Sequence, residues 1–372
     1  MRPLVFLLLF SFLLSAEAEL KKSREHTLFQ NSSTAVYNIP NLVRTKKGSL
    51  LAVIEKRPSG AMQAQKLVLR RSTDRGKTWS EEIAVADKGE NILVNSAHMV
   101  DRKSGRIFVL VNYFAKGYFV GRAAAGYESE QANRQYICQS DDDGQTWSEL
   151  REITRGVKPE KANFSIINAG GKGIELKKGK HRGRFLVPVW VNDYKTHQSY
   201  AIYSDDRGKT WQRGEIAEKS PEAQGNSTES QFVELSTGGV LMLTRTTGGQ
   251  RFRRQAISKD GGLTWSKMVY TKLFDPSCQA SFSVRTLKGK RVWFLVHPNS
   301  QAGRVNGSVT VSFDEGETWP INKSFEEGSF GYSGSYLQRD GSLAIFYEAD
   351  NRCVFKFLCL SVKEILKKDA EK

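Results

Sequence analysis

Five times the chain repeats the octet Ser-x-Asp-x-Gly-x-Thr-Trp, beginning at Ser72, Ser140, Ser204, Ser258 and Ser312. Internal repetition constrains a fold more than any single motif does, because every unit must be the same piece of supersecondary structure. Asp at the third position and Gly at the fifth are turn chemistry. The carboxylate accepts nearby backbone N–H groups, and glycine takes φ > 0 without steric cost. A β-prone run precedes each octet, such as Leu67-Val68-Leu69 or Val309-Thr310-Val311, and a second follows. Each unit therefore reads as a hairpin with a stereotyped tip, its tryptophan packing back onto the sheet. The units recur every ~54 to ~68 residues, the period of four-stranded propeller blades with loop insertions. From about residue 30 onward there is room for about six blades. The expected architecture is all-β: one six-bladed β-propeller domain over residues 19–372. Residues 122–135 read as an inserted loop with a short helix, and helical periodicity begins only at Val362.

Ahead of the repeats, Met1-Arg2-Pro3 leads into an apolar run from Leu4 to Leu14, then Ala16-Glu17-Ala18. This is the pattern of a secretory signal peptide, expected over residues 1–18. No later stretch approaches the about 18 apolar residues of a spanning helix. A secreted, extracellular or periplasmic chain without an integral membrane segment after cleavage is expected. The 39% hydrophobic and 26% charged fractions exclude a disordered chain. Four cysteines in 372 residues exclude a disulfide-dense scaffold. Export leaves both buried thiols and one or two bridges open for Cys138, Cys278, Cys353 and Cys359. There is no metal-ligand spacing, P-loop or H-E-x-x-H, so no metal or other cofactor is expected. The 56 Lys and Arg against 40 Asp and Glu give a net charge of +16, spread along the chain. No nucleic-acid motif accompanies it. For an exported chain this favours an acidic glycan over nucleic acid as partner, a merely solvated basic surface being the alternative.

The octets resemble the Asp-box (BNR) repeats of sialidases and related propellers, where they lie on the outer rim and are structural. The remaining segments resemble, in order and over nearly the whole mature length, the exo-α-sialidases of glycoside hydrolase family 33. Tyr37-Asn38-Ile39-Pro40 resembles the Arg-Ile-Pro entry motif, and residues 49–57, ending Glu55-Lys56-Arg57, resemble the strand that follows it. Residues 168–176 with 183–188 are similar to the family's G-x-G-I-x-L and G-R-L-x-x-P segments. Glu229-Ser230-Gln231 and the later Arg245, Arg304-Val305-Asn306, Gly331-Tyr332-Ser333 and Tyr347-Glu348 complete the match.

The resemblance implies a sialidase-like propeller that removes terminal sialic acid, or a related 2-keto acid sugar, from glycoconjugates. In it Tyr332 is the nucleophile and Glu229 its base. Arg245 and Arg304 bind the substrate carboxylate, and Arg57 lies near the far side of the sugar ring. The chemistry is coherent. Arginine forks bind a carboxylate by charge-assisted hydrogen bonds. A carboxylate nucleophile would be repelled by the substrate's own carboxylate, whereas a neutral tyrosine is not; sialidases are the tyrosine exception to the two-carboxylate rule. The phenol needs a base, since its free pKa is near 10, and a separate acid must protonate the leaving sugar.

Two departures stand out. Asn38 occupies the position of the first arginine, and an amide brings neither charge nor fork. The loop of residues 58–66, where the family carries its acidic aspartate, contains no carboxylate. Glu128, Glu130 and Asp193 sit on candidate loops and are the alternatives for a substitute acid. Three readings remain: an active exo-glycosidase with a substituted acid, a catalytically impaired glycan-binding protein, and a scaffold with a vestigial pocket. N-x-Ser/Thr sequons open at Asn31, Asn163, Asn226, Asn306 and Asn322, and glycans at Asn226 or Asn306 would crowd the pocket.

Overall fold

A computed structural model describes residues 20–60, 63–192, 196–218, 220–221 and 225–367. The expected signal peptide and Asp193 lie outside these residues. Antiparallel four-stranded meanders dominate the chain. The first comprises Ala35–Arg44, Leu50–Pro58, Lys66–Ser72 and Ile83–Asp87, and another comprises Asn226–Glu234, Val240–Thr247, Phe252–Ser258 and Val269–Phe274. Their middle strands are buried on both faces, which is why Leu50–Ile54 reads as a continuous apolar run rather than an alternation.

The octets are the tips joining the third and fourth strands. In the first, Ser72 Oγ donates to Asp74 Oδ1 and accepts from Gly76 N, each at 2.8 Å. Asp74 then collects Thr78 N at 2.9 Å and Thr78 Oγ1 at 2.6 Å. The same pattern recurs at Asp142, Asp206, Asp260 and Asp314. Gly76 has φ +86°, and a Cβ there would stand 2.3 Å from the Phe357 ring, so only glycine fits. The tryptophans pack as expected: Trp79 meets Phe357 edge-on, and Trp265 stacks on Phe232.

Apolar clusters bind each sheet to the next in sequence. Phe108 packs with Phe185, Leu186 with Met242, and Val233 with Trp293. The circuit closes because Leu50 and Ala52 of the first meander share a cluster with Phe346 and Phe357. It is also closed by hydrogen bonds, since Lys22–Gln30 pairs with Val354–Ser361. The hydrogen-bonded sheets number five among the described residues, of four, four, five, five and seven strands. The seven-stranded sheet arises from one 17-residue strand, Ile321–Leu337. Its first half pairs with Val305–Ser312 and its second with Ser342–Ala349, so two successive repeats share a strand.

The innermost strands and the turns beside them carry buried polar side chains, among them Asn41, Gln231, Ser281 and Ser335 on strands and Asn168 and Gln279 just outside them. Most of their polar atoms bond one another or the backbone, as buried polar groups generally do, although Asn168 Oδ1 has no partner among the described residues. Gln279 Nε2, for example, reaches Gly170 O at 3.2 Å and Ser333 O at 3.0 Å. Residues 122–133 form the expected loop of bends and turns, with helix limited to the end of a 3-10 turn, Val120–Arg122, and residues 134–135 open the strand Arg134–Ser140. The C-terminal periodicity yields the single turn Val362–Ile365. All four cysteines are unbridged. Among the described residues no helix is long and apolar enough to cross a membrane.

Candidate active site

Glu229 stands in the strand Asn226–Glu234, at an irregularity between Ser227 and Ser230 where the pairing with Val240–Thr247 shifts. Arg245 lies on that partner strand. Tyr332 comes from the second half of Ile321–Leu337, again at a break in register. Bulges of this kind re-aim side chains at the ends of sheets. Here they bring three distant residues into one hydrogen-bonded cluster. Tyr332 Oη donates to Glu229 Oε1 at 2.7 Å and accepts from Arg245 Nη1 at 2.8 Å. Arg245 Nη1 also meets both Glu229 oxygens, at 2.8 and 2.9 Å, and Thr228 Oγ1 donates to Oε2 at 2.8 Å.

This electrostatic arrangement is asymmetric. Burial works to raise the Glu229 pKa, but Arg245 and the donors Tyr332 and Thr228 outweigh it, holding the carboxyl below its ordinary range. Burial and the Glu229 charge push Tyr332 well above 10, against the opposing pull of Arg245 and Arg304. The phenol is thus neutral, beside an ionised carboxylate that accepts its proton in a hydrogen bond. Arg304 lies over the Tyr332 ring, 5.0 Å from its centroid, and donates to Ser277 O at 2.9 Å.

The backbone beneath the tyrosine is held by Glu348. Its Oε2 accepts Tyr332 N at 3.1 Å and its Oε1 accepts Ile39 N at 3.2 Å. A Cβ at Gly331 would meet Glu348 Oε2 at 2.2 Å, so glycine is required for this approach. Ile39 has φ +55°, unusual for a β-branched residue, and lies in the bulge between Asn38 and Asn41. Strain of this sort persists where its surroundings enforce it. Ile39 packs with Tyr332, Cys278 and Ala169, so its neighbour Asn38 stands beside the cluster. Burial pushes the Cys278 thiol up to about 12, which keeps it neutral.

The other expected site residues separate into two groups. Arg57 is partly buried on Leu50–Pro58, and Asn38 pairs in register with Glu55, two residues before it. Glu55 is buried, accepts Asn95 N at 2.5 Å, and has its carboxyl pushed up to about 8 by burial and by Glu348. Glu128, by contrast, pairs with Arg155 on an exposed loop, and Glu130 is exposed near it. Glu55 and Glu348 had no role from sequence, although Glu55 shares a strand face with Arg57 by the two-residue period. Among the described residues no grouping of three or more His, Cys, Asp or Glu side chains could hold a metal ion.

A BNR repeat-like domain profile matches residues 64–345. The chain is 33% identical over 328 residues to a sialidase of Micromonospora viridifaciens, covering 84% of this chain and 50% of that protein. It is 29% identical to a sialidase of Bacteroides fragilis, covering 91% of this chain and 64% of the relative. The chain belongs to the sialidase family with BNR repeats. It spans about half to two thirds of the length of these sialidases. Among solved structures, the sialidase Hz136 superposes with a TM-score of 0.79 at 27% identity, covering 89% of this chain and 66% of that one. The intramolecular trans-sialidase of Ruminococcus gnavus shares the fold at 19% identity, with a TM-score of 0.78 and coverage of 95% and 100%.

Proposed function

We propose that this chain is an exo-α-sialidase, a retaining glycosidase acting on terminal sialic acid or a related 2-keto acid sugar of glycoconjugates. The observation that carries the reading is the Tyr332–Glu229 hydrogen bond at 2.7 Å, crossed by Arg245 at 2.8 Å. Glu229 takes the phenolic proton as Tyr332 Oη attacks the anomeric carbon and the bond to the aglycone oxygen breaks, the departing oxygen taking its proton from solvent. Water then displaces the tyrosine with overall retention, Glu229 returning the proton to the phenolate and the water releasing its own to solvent. Arg245 and Arg304 hold the substrate carboxylate, Arg57 faces the far side of the ring, and Asn38 supplies an amide in place of a third guanidinium. The scaffold in this reading is a six-bladed propeller, the shared strand Ile321–Leu337 serving two blades. The names of its relatives support sialylated glycans as substrates.

A second reading is a catalytically impaired glycan-binding protein. It is favoured by the absence of any carboxylate from residues 58–66 and by Asn38. Hydrolysis of a fluorogenic sialoside by the wild type, Tyr332→Phe and Glu229→Ala separates the two. Activity abolished in both variants establishes the tyrosine mechanism. An inert wild type that binds free sialic acid calorimetrically establishes the binding protein.

A further inference from the structure

A second cavity lies at the opposite end of the central axis from Tyr332. It has a volume of about 710 Å³ and is lined by Lys172, Tyr336 and Phe282, with Arg44, Lys178 and Arg285 among its rim residues. Its position follows from the innermost strand. Tyr336 is four residues beyond Tyr332, about 13 Å along an extended chain. Between the two levels the axis is filled by the Gln279–Ser333 and Ser281–Ser335 hydrogen bonds. The cavity therefore opens on the end where the octets lie. Arg291, on its wall, pairs with Glu315 of the fifth octet at 3.2 Å.

The lining holds eight lysines and arginines and two carboxylates, Glu175 and Glu234. Both carboxylates are engaged: Glu175 with Arg102 at 2.9 Å, and Glu234 with the backbone N–H groups of Lys177 and Lys178 at 2.7 and 2.8 Å. Among the described residues Arg44, Lys172, Lys178 and Arg285 have no carboxylate within ion-pair distance. At the floor, Lys172 Nζ donates to Phe282 O and Ser335 O, both at 2.9 Å, and sits 3.9 Å from the centre of the Tyr336 ring. An ammonium has three donors, and the third has no oxygen or nitrogen partner among the described residues, facing only the Tyr336 ring in the cavity wall. Burial draws this lysine down to about 7, a cost that an anion seated beside it would reverse. A neighbouring cavity of about 580 Å³, with Lys103, Arg182 and Arg207, continues the basic surface through shared Arg102, Glu175 and Lys177.

We propose that this cavity is a second, non-catalytic site that binds an anionic saccharide through its carboxylate or sulfate groups. Cations arranged around a depression with an aromatic wall suit a sugar with a charged substituent, and the continuing groove suits more than one such residue. The site is independent of the reading given to Tyr332.

Calorimetry of the full chain at low salt tests it, with a heparin-derived tetrasaccharide as the sulfated probe and a hyaluronan tetrasaccharide as the carboxylate-only probe. Neither carries sialic acid. One-to-one binding of at least one probe is expected, weakening as salt rises. The paired substitutions Arg44→Glu and Lys178→Glu, and separately Lys172→Met, are expected to lower affinity about tenfold or more. Should Lys172→Met fail to fold, the rim pair still decides, and its thermal unfolding should match the wild type. The proposal is overturned if neither tetrasaccharide binds, or if the rim variant binds as the wild type does. It is equally overturned if a short oligothymidylate binds as tightly as the better saccharide.

Discussion

The Tyr332 hydroxyl donates to Glu229 across 2.7 Å while both groups stay buried. The pair is a phenol held neutral against a carboxylate held ionised, with Arg245 contacting both. Because Glu229 is kept below 4.5, it remains a base into acid solution. The acid limb of kcat/KM should therefore lie on the acid side of an ordinary glutamate titration, and a pH-rate profile checks this. Glu229→Gln should lower kcat/KM by about 10²–10⁴-fold, the usual worth of a positioned base. Tyr332→Phe should do at least as much damage. A Glu229→Gln variant within tenfold of the wild type would remove the base from the mechanism.

The loop of residues 58–66 offers no carboxylate to protonate a departing sugar. A leaving group that needs no proton should suffer little from this. An aryl sialoside with an acidic phenol should be cleaved about 10²–10⁴ times faster than sialyllactose, the factor that a general acid normally supplies. Comparing kcat/KM for the two substrates measures it. Equal rates would mean that another group delivers the proton.

Asn38 lies beside Ile39, whose N–H is fixed by Glu348, so position 38 is anchored next to the Tyr332–Glu229–Arg245 cluster. Asn38→Arg should return a guanidinium to that edge, where Glu348 is already present as a counter-charge. Hydrogen bonds to charged groups contribute about 1.5–3 kcal/mol. The KM for a sialoside, and the inhibition constant of a planar sialic acid analogue, should fall by roughly tenfold or more. An unchanged KM would show that this edge does not meet the substrate carboxylate.

The repeats made the sheets legible because each octet closes its own turn with local hydrogen bonds, as at Ser72, Asp74 and Thr78. The sharing of Ile321–Leu337 between two repeats was not legible, since neither half carries a signal that differs from an ordinary strand. At the site, four of the six residues named by the resemblance come together: Tyr332, Glu229 and Arg245 bond directly, and Arg304 covers the ring. What stayed hidden were long-range couplings. Glu348 secures the backbone of Tyr332 and Ile39, which are 293 residues apart, and nothing in either local sequence announces such a contact. The opposite cavity was hidden for the same reason. Its cations are scattered from Arg44 to Arg291 and meet only when the circle of sheets closes.

Glu55 supplies a test of stability independent of catalysis. Burial, assisted by the Glu348 charge, raises its folded pKa to about 8 from 4.5, although the Asn95 N–H pulls the other way. Between these values the folded chain holds a proton that the unfolded chain has released. The unfolded state then binds fewer protons at this site, so the contribution of Glu55 to stability falls as pH rises from 4.5 to about 8 and is level outside that window. Glu55→Gln keeps the shape and an acceptor oxygen but cannot ionise. The variant should lose part of this decline, on the order of a few kcal/mol at full development. Thermal unfolding across the window measures it. The wild type should drop more steeply than Glu55→Gln, with the variant gaining relative stability at the alkaline end. Parallel curves would show that Glu55 releases its proton at an ordinary pH, and that the Asn95 N–H together with nearby Arg57 offsets the cost of burial.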